Sequence, residues 1–154
     1  MKRALELRGL SDDHHRGLVL ARKAKQAAEG EGDLSASEAW SEIESQFAAE
    51  LAPHFLIEET FLAPQLEAAG AGVLTRRLYD EHRALRACVR PGGGRAPEDL
   101  ARFGELLEDH IRFEERELFE AAQKLLTHEA LAAVADASLS RSASKPSRPS
   151  QARR

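Results

Sequence analysis

The chain has 154 residues, of which 42% are hydrophobic and 31% charged, a balance typical of a single globular domain with a substantial core. Alanine, leucine, glutamate and arginine dominate it, and no run alternates as a β-strand does, so we expect an all-α fold. The net charge of −4 divides into +5 on residues 138–154 and −9 on residues 1–137, and such an acidic domain is a poor candidate for binding nucleic acid.

Helix start and stop signals divide the chain into four long segments and a short fifth. Ser11 is the predicted N-cap of the first, and either Ser35 or Ser37 precedes the second. Pro97, with Glu98 and Asp99, is suited to the first turn of the fourth. The predicted helices span residues 12–29, 36–69 or 38–69, 73–90, 97–126 and 129–137.

Short connections between these long helices favour antiparallel neighbours, and hence an up-down four-helix bundle with a short extra C-terminal helix. Pro53 and Pro64 lie inside the second helix, where they predict a kink or a break. The bundle is expected to occupy residues 1–137. Residues 138–154, rich in serine, proline and arginine, are expected to form a disordered basic tail.

Two ionisable residues interrupt an otherwise apolar stripe on each of two helices. His54 and Glu58 continue the stripe of the second helix, and His110 and Glu114 continue that of the fourth. A buried carboxylate without a partner costs several kcal/mol. A metal ion would convert these groups into ligands, so the pattern predicts a metal site inside the bundle.

The other two helices carry histidines on the faces that would meet this site. His82 lies beside the apolar face of the third helix, and the first helix offers His14 or His15. Matching "HRGL" with "HRAL" favours His15, whereas helical phase favours His14, which we select. Four imidazoles and two carboxylates suit two ions of iron, zinc or manganese, and the lack of thiolates argues against copper(I) or an iron–sulfur cluster.

The segments "DHH", "HFLIEETFLAP", "DEHR" and "DHIRFEERELF" resemble the hemerythrin family, in particular the bacterial hemerythrin-like domains named for their His-His-Glu repeats. The resemblance covers roughly residues 7–126. It implies a four-helix bundle around a non-haem di-iron centre. In that centre the terminal ligands would be His14 (or His15), His54, His82 and His110, and Glu58 and Glu114 would bridge the two ions.

One departure concerns the third helix, where oxygen-carrying hemerythrins place two histidines one turn apart. Leu78 and Arg86 lie one turn either side of His82, and only Tyr79 is near enough to substitute. The resemblance is therefore closer to the sensing and regulatory members than to the carriers. The Glu-x-x-His signature of ferritin-like di-iron proteins is absent, since Leu51, Tyr79 and Leu107 stand three residues before the histidines.

The expected function is the sensing or handling of oxygen, peroxide, nitric oxide or iron by a dinuclear iron centre, with a small diatomic ligand or peroxide as its partner. The alternatives are a structural or storage site for zinc or another divalent ion, and an interaction bundle without metal. No dedicated acid, base or substrate pocket is evident beyond the ligands, so an enzyme is not expected. The solvent face is assigned Glu59, Glu115 and Glu117, paired with Arg112 or Arg116.

The compartment follows from two further features. The amino terminus lacks the apolar stretch of a signal peptide, and no run approaches membrane-spanning length. Cys88, the single cysteine, excludes an intramolecular disulfide and fits a reducing environment. We expect a cytoplasmic protein with no membrane partner.

Overall fold

The computed structural model describes residues 2–144, which form five helices and no strand. The all-α prediction is confirmed. A 3₁₀ turn at Leu5–Leu7 leads into α1 (Arg8–Ala28). The remaining helices are α2 (residues 36–68), α3 (Gly72–Val89), α4 (residues 97–125) and α5 (His128–Ser144).

The order of the core residues shows the up-down arrangement of the first four helices. The core consists of two apolar clusters, one containing Leu20, Trp40, Leu85 and Leu100, and the other containing the residues Leu10, Leu66, Leu78 and Phe119. Helices α1 and α3 run from the second cluster to the first, and α2 and α4 run back. Each helix crosses from one cluster to the other at its histidine.

Helix α1 begins one turn earlier than predicted, so Ser11 lies inside the helix and does not cap it. The reason is burial, since Leu7 and Leu10 are both fully buried in the second cluster. Packing of this additional turn outweighs the local preference of serine for an N-cap position.

The starts of α2 and α4 follow local capping chemistry. Ser35 caps α2, with its hydroxyl accepting from the Glu38 N–H at 3.1 Å and the Glu38 carboxylate accepting from the Ser35 N–H at 3.2 Å. At α4 the Asp99 carboxylate accepts from the Ala96 N–H at 2.9 Å, immediately before Pro97. Both starts agree with the predictions.

Helix α2 does not break at its prolines. It widens instead into two π-helical turns, Phe47–Leu51 and Glu58–Leu62, which end two residues before Pro53 and Pro64 respectively. Helix α4 contains a third such turn, Glu114–Leu118. Each residue of a regular helix advances by about 100° around the axis, so residues four apart are rotated by about 40° relative to each other. A π-helical turn has more residues per turn and offsets this rotation. Apolar residues spaced four apart therefore stay on the side of the helix that faces the core.

Helix α5 is longer than predicted and continues through residues 138–144, which were assigned to the disordered tail. Leu131 and Val134 bury its first half in the second cluster. Its last turns are held by Arg141, which ion-pairs with Asp13 of α1 and Glu50 of α2. The rest of the predicted tail, residues 145–154, lies outside the described residues.

None of the helices formed by residues 2–144 combines the length and apolarity needed to cross a membrane.

Helices α1 and α4 approach closely because each contributes a glycine to their contact. A Cβ atom on Gly17 would lie 2.8 Å from the Ile111 Cδ1 atom, and one on Gly104 would lie 2.7 Å from the Ala21 carbonyl oxygen. Backbone cannot move aside as a side chain can. The separation of the two helices at Gly104 therefore requires glycine.

Replacing Gly104 with alanine is expected to lower the free energy of unfolding by about 1–3 kcal/mol, since α1 must shift away from α4. Urea denaturation measures the change. Gly72→Ala is the control, because an added Cβ there meets nothing within 4 Å; it should be neutral or stabilising by about 0.4–1 kcal/mol. Equal stability of the two variants would contradict the assigned close approach.

Candidate metal centre

The six residues selected from the sequence lie in one layer between the two apolar clusters. Their exposed fractions are 0–5%, although all are polar. Successive i and i+4 positions place a histidine and a glutamate on the same face of α2 and of α4. The six are His14 of α1, His54 and Glu58 of α2, His82 of α3, and His110 and Glu114 of α4.

These side chains form two overlapping groups, each of which has ligand atoms within 4.8 Å of one another. One group contains His14 and His54, and the other contains His82 and His110. Glu58 and Glu114 belong to both. The arrangement therefore has two histidine pairs with two shared carboxylates between them.

Each histidine is oriented by a carboxylate on its outer side. The Nδ1 atom of His14 lies 2.7 Å from Glu115, and that of His54 lies 3.0 Å from Asp13. On the other side of the layer, the Nδ1 atoms of His82 and His110 lie 3.1 Å and 2.9 Å from Glu59 and Glu81 respectively. A carboxylate acceptor fixes the proton on Nδ1, so the lone pair of a neutral ring is on Nε2 and points inward.

Aromatic rings hold two of the imidazoles from the side. The Phe55 ring stacks on His82 with centroids 3.9 Å apart, and the Phe119 ring stacks on His14 at 5.3 Å. With Nδ1 bonded and one face covered, each of these imidazoles is confined to one orientation. The Nδ1 bonds and the ring contacts thus orient these donor atoms, as a metal site requires.

The inward-facing atoms of the layer are left unsatisfied by the protein. Twelve buried side-chain atoms have no hydrogen-bond partner among the described residues, and eight of the twelve belong to the layer: the Nε2 atoms of the four histidines and both carboxylate oxygens of Glu58 and Glu114. Buried polar atoms are normally satisfied. Four imidazole nitrogens and four carboxylate oxygens converging in one layer fit cation ligation.

The pKa values of the buried residues show how charge is distributed inside the layer. Burial alone lowers the pKa of His54, yet the Glu58 and Asp13 carboxylates raise it to about 9. Although burial raises the pKa of Glu58, the His54 and His82 rings hold that pKa well below its ordinary value. In His110, by contrast, burial lowers the pKa to about 4, which leaves a neutral ring. The two buried carboxylates thus create a position for a cation.

The prediction that placed Glu59, Glu115 and Glu117 on the solvent face is wrong for two of them. Glu59 and Glu115 are the Nδ1 partners of His82 and His14. The hydrogen bond from His82 lowers the pKa of Glu59 to about 2, and the bond from His14 does the same for Glu115 against the effect of burial. Only Glu117 is at the surface, where it pairs with Arg77 and not with Arg112 or Arg116.

Sequence reasoning also missed Asp13 and Glu81, the other two Nδ1 partners. A signal was present, because each immediately precedes a histidine of the layer, in "DHH" and "DEHR". Likewise, Glu59 and Glu115 immediately follow the buried glutamates. The repeated acid beside each ligand position marks the outer carboxylates.

The sequence left two questions about the ligands open: whether His14 or His15 belongs to the site, and whether Tyr79 does. His14 is buried in the layer, whereas His15 is exposed. Tyr79 lines a surface depression with Thr75 and Asp80. Leu78, one turn before His82, is fully buried in the second apolar cluster. Of the histidine, cysteine and acidic residues that the structure describes, His82 is the one that α3 contributes to the two groups of ligand atoms.

The family model for the hemerythrin HHE cation-binding domain matches residues 6–122, most of the chain and all six residues of the layer. The chain belongs to this family. Membership makes it a domain that binds metal cations. Comparison with curated proteins gave no match, nor did comparison with solved structures.

The outer carboxylates of this hemerythrin-like domain provide a test of the geometry. Glu115→Gln should weaken metal binding by about 10–100-fold, because losing the negative charge lowers the basicity of the His14 ring. Isothermal titration with Zn²⁺ measures the affinity. Glu105→Gln is the matched control, since Glu105 is exposed on the same helix, and it should bind as the wild type does. If Glu115→Gln also bound normally, the role assigned to Glu115 would be refuted.

Proposed function

We propose that the chain binds two iron ions in a dinuclear non-haem centre and uses them to sense or handle oxygen, peroxide, nitric oxide or iron. One observation carries the proposal: Glu58 and Glu114 each belong to both groups of ligand atoms. A carboxylate shared in this way suits a bridge between two ions a few ångströms apart. His14 and His54 would then be terminal ligands to one ion, and His82 and His110 to the other.

The donor set supports iron without selecting it uniquely, since imidazole and carboxylate also suit zinc and manganese. Iron, when bound, supplies reversible one-electron chemistry and affinity for small ligands. The protein residues contribute fixed ligand orientation, through the Nδ1 bonds, and exclusion of water, through the apolar clusters. No described residue near the layer provides an acid or base beyond the ligands and their carboxylate partners, so we propose a binding or sensing role and not an enzymatic one.

The size of the cavity beside the layer supports a small ligand. A cavity of about 10 Å³ lies against His14, His54, His110 and Glu114, and its apolar walls are Leu51, Phe55, Leu107 and Ile111. A single water requires about 10–15 Å³. The cavity therefore has room for about one water-sized group; a diatomic molecule or peroxide would need small movements of the surrounding side chains, and larger substrates would need large ones.

We also propose a cytoplasmic location, which the single cysteine supports, and no nucleic-acid or membrane partner, in keeping with the acidic domain.

Protein expressed in iron-rich medium and purified in air should contain about two iron ions per chain. It should show near-ultraviolet charge-transfer absorption that dithionite removes and air restores. Chelation should lower the melting temperature by roughly 10 °C, because a tightly bound ligand contributes about 4 kcal/mol to stability. Elemental analysis, absorption spectra and thermal denaturation provide the measurements. Colourless, zinc-loaded protein would favour the structural alternative, and metal-free protein would refute both.

Individual substitutions test the bridging roles. Glu58→Ala and Glu114→Ala should each lose most of both ions, because a bridging carboxylate contacts both and offsets their repulsion. His14→Ala should lose mainly the ion of its own pair, and His15→Ala, the exposed control, should lose none. Metal stoichiometry measured on the purified variants is the readout. Equal losses from the glutamate and histidine variants would exclude the bridges, and a silent His14→Ala would exclude His14.

A further inference from the structure

Each carboxylate that orients a histidine is itself held by an arginine. Asp13 lies 2.6 Å from Arg141, Glu59 lies 2.9 Å from Arg86, Glu81 lies 2.7 Å from Arg77, and Glu115 lies 2.8 Å from Arg3. The centre therefore has four chains of contacts, each running from an inner imidazole through a carboxylate to a guanidinium.

The four arginines come from different parts of the chain, and their origin divides the centre into halves. Arg77 and Arg86 lie on α3 and serve the pair His82 and His110. Arg3, before α1, and Arg141, near the end of α5, serve the pair His14 and His54. Each histidine pair thus depends on a separate source of positive charge.

The two sources also differ in exposure. The side chains of Arg77 and Arg86 are 46% and 42% exposed, whereas those of Arg3 and Arg141 are 18% and 13% exposed. Exposed ion pairs contribute little, since solvent screens them. On this ground we expect the less exposed Arg3 and Arg141 to act more strongly on the carboxylates that they contact.

Arg141 connects three helices. Its Nη1 atom donates to Asp13 and its Nη2 atom donates to Glu50 at 2.8 Å, which ties α5 to both α1 and α2. Both Arg141 and Arg3 lie outside residues 6–122, the part matched by the family model. These contacts are made by segments that flank the matched residues on either side.

We propose that Arg141 and Arg3 are positioning residues, and that docking of the chain ends sets the metal affinity of the His14–His54 half alone. The inference rests on the proposed dinuclear centre. Undocking of α5 would remove Arg141 from the Asp13 carboxylate and leave Arg16, which is 50% exposed, as its arginine partner, so Asp13 would orient His54 less firmly. The His82–His110 half, supported from α3, would keep its affinity. The two ions are then inequivalent, and the position of α5 controls whether the second one binds.

The test uses full-length protein and Co²⁺, whose visible absorption reports ligation. Two backgrounds isolate the halves, because His82→Ala leaves the His14–His54 half intact and His14→Ala leaves the other. Arg141→Gln should weaken Co²⁺ binding about tenfold in the His82→Ala background and by less than about twofold in the His14→Ala background. Arg3→Gln added to the His82→Ala background should act in the same direction.

Arg16→Gln is the matched control. Arg16 contacts the same two carboxylates, Asp13 at 2.5 Å and Glu50 at 3.2 Å, but it belongs to α1 and is 50% exposed. It should weaken binding less than Arg141→Gln does. An equal effect of Arg16→Gln, or an equal loss in both backgrounds, would overturn the inference, since either would indicate general loosening. Wild-type protein that binds fewer than two Co²⁺ ions would overturn the dinuclear proposal itself, and the inference with it.

Discussion

The structure depends on two carboxylates, Glu58 and Glu114, that are fully buried between two apolar clusters. Removing an ion from water costs several kcal/mol even after the protein relaxes, so such groups persist only where opposite charge meets them. The surroundings meet this requirement in layers: four imidazoles around the carboxylates, four carboxylates behind the imidazoles, and an arginine behind each. The alternation of charge extends from the centre of the bundle to its surface.

The helices are adapted to this centre as well as to their own packing. Two π-helical turns begin at the buried glutamates, Glu58–Leu62 and Glu114–Leu118. Pro64 follows the first, but Glu120 stands at the matching position after the second, so proline is not their common cause. What the two turns share is the preceding histidine and the pair of adjacent glutamates. π-Helical turns recur at functional sites in helices. Here each one contains two consecutive glutamates, of which the first points into the layer and the second contacts a histidine from outside.

The sequence was sufficient for the features that local rules determine. Periodicity predicted the helices and the buried face, and phase distinguished the buried His14 from the exposed His15. Capping limited the start of α2 to Ser35 or Ser37, and the structure has Ser35. Sequence analysis failed for residues whose contacts are with a different helix. Glu59 and Glu115 lie off the seam of their own helices, so their periodicity indicates solvent, and only the positions of α3 and α1 give them histidine partners. The additional turn of α1 and the last turns of α5 likewise depend on distant contacts.

The charges of the centre explain why it needs a cation at its middle and nowhere else. Each of the four outer carboxylates is paired with at least one arginine, and Asp13 is paired with both Arg141 and Arg16, so the outer negative charges are compensated within the protein. Glu58 and Glu114 have no arginine or lysine partner among the described residues, and their ion-pair contacts are with histidine rings. Changing an outer pair alters how firmly an imidazole is held but leaves the two inner charges in place. Affinity for cations therefore resides in the glutamates, and the difference between the two halves resides in the arginines behind them.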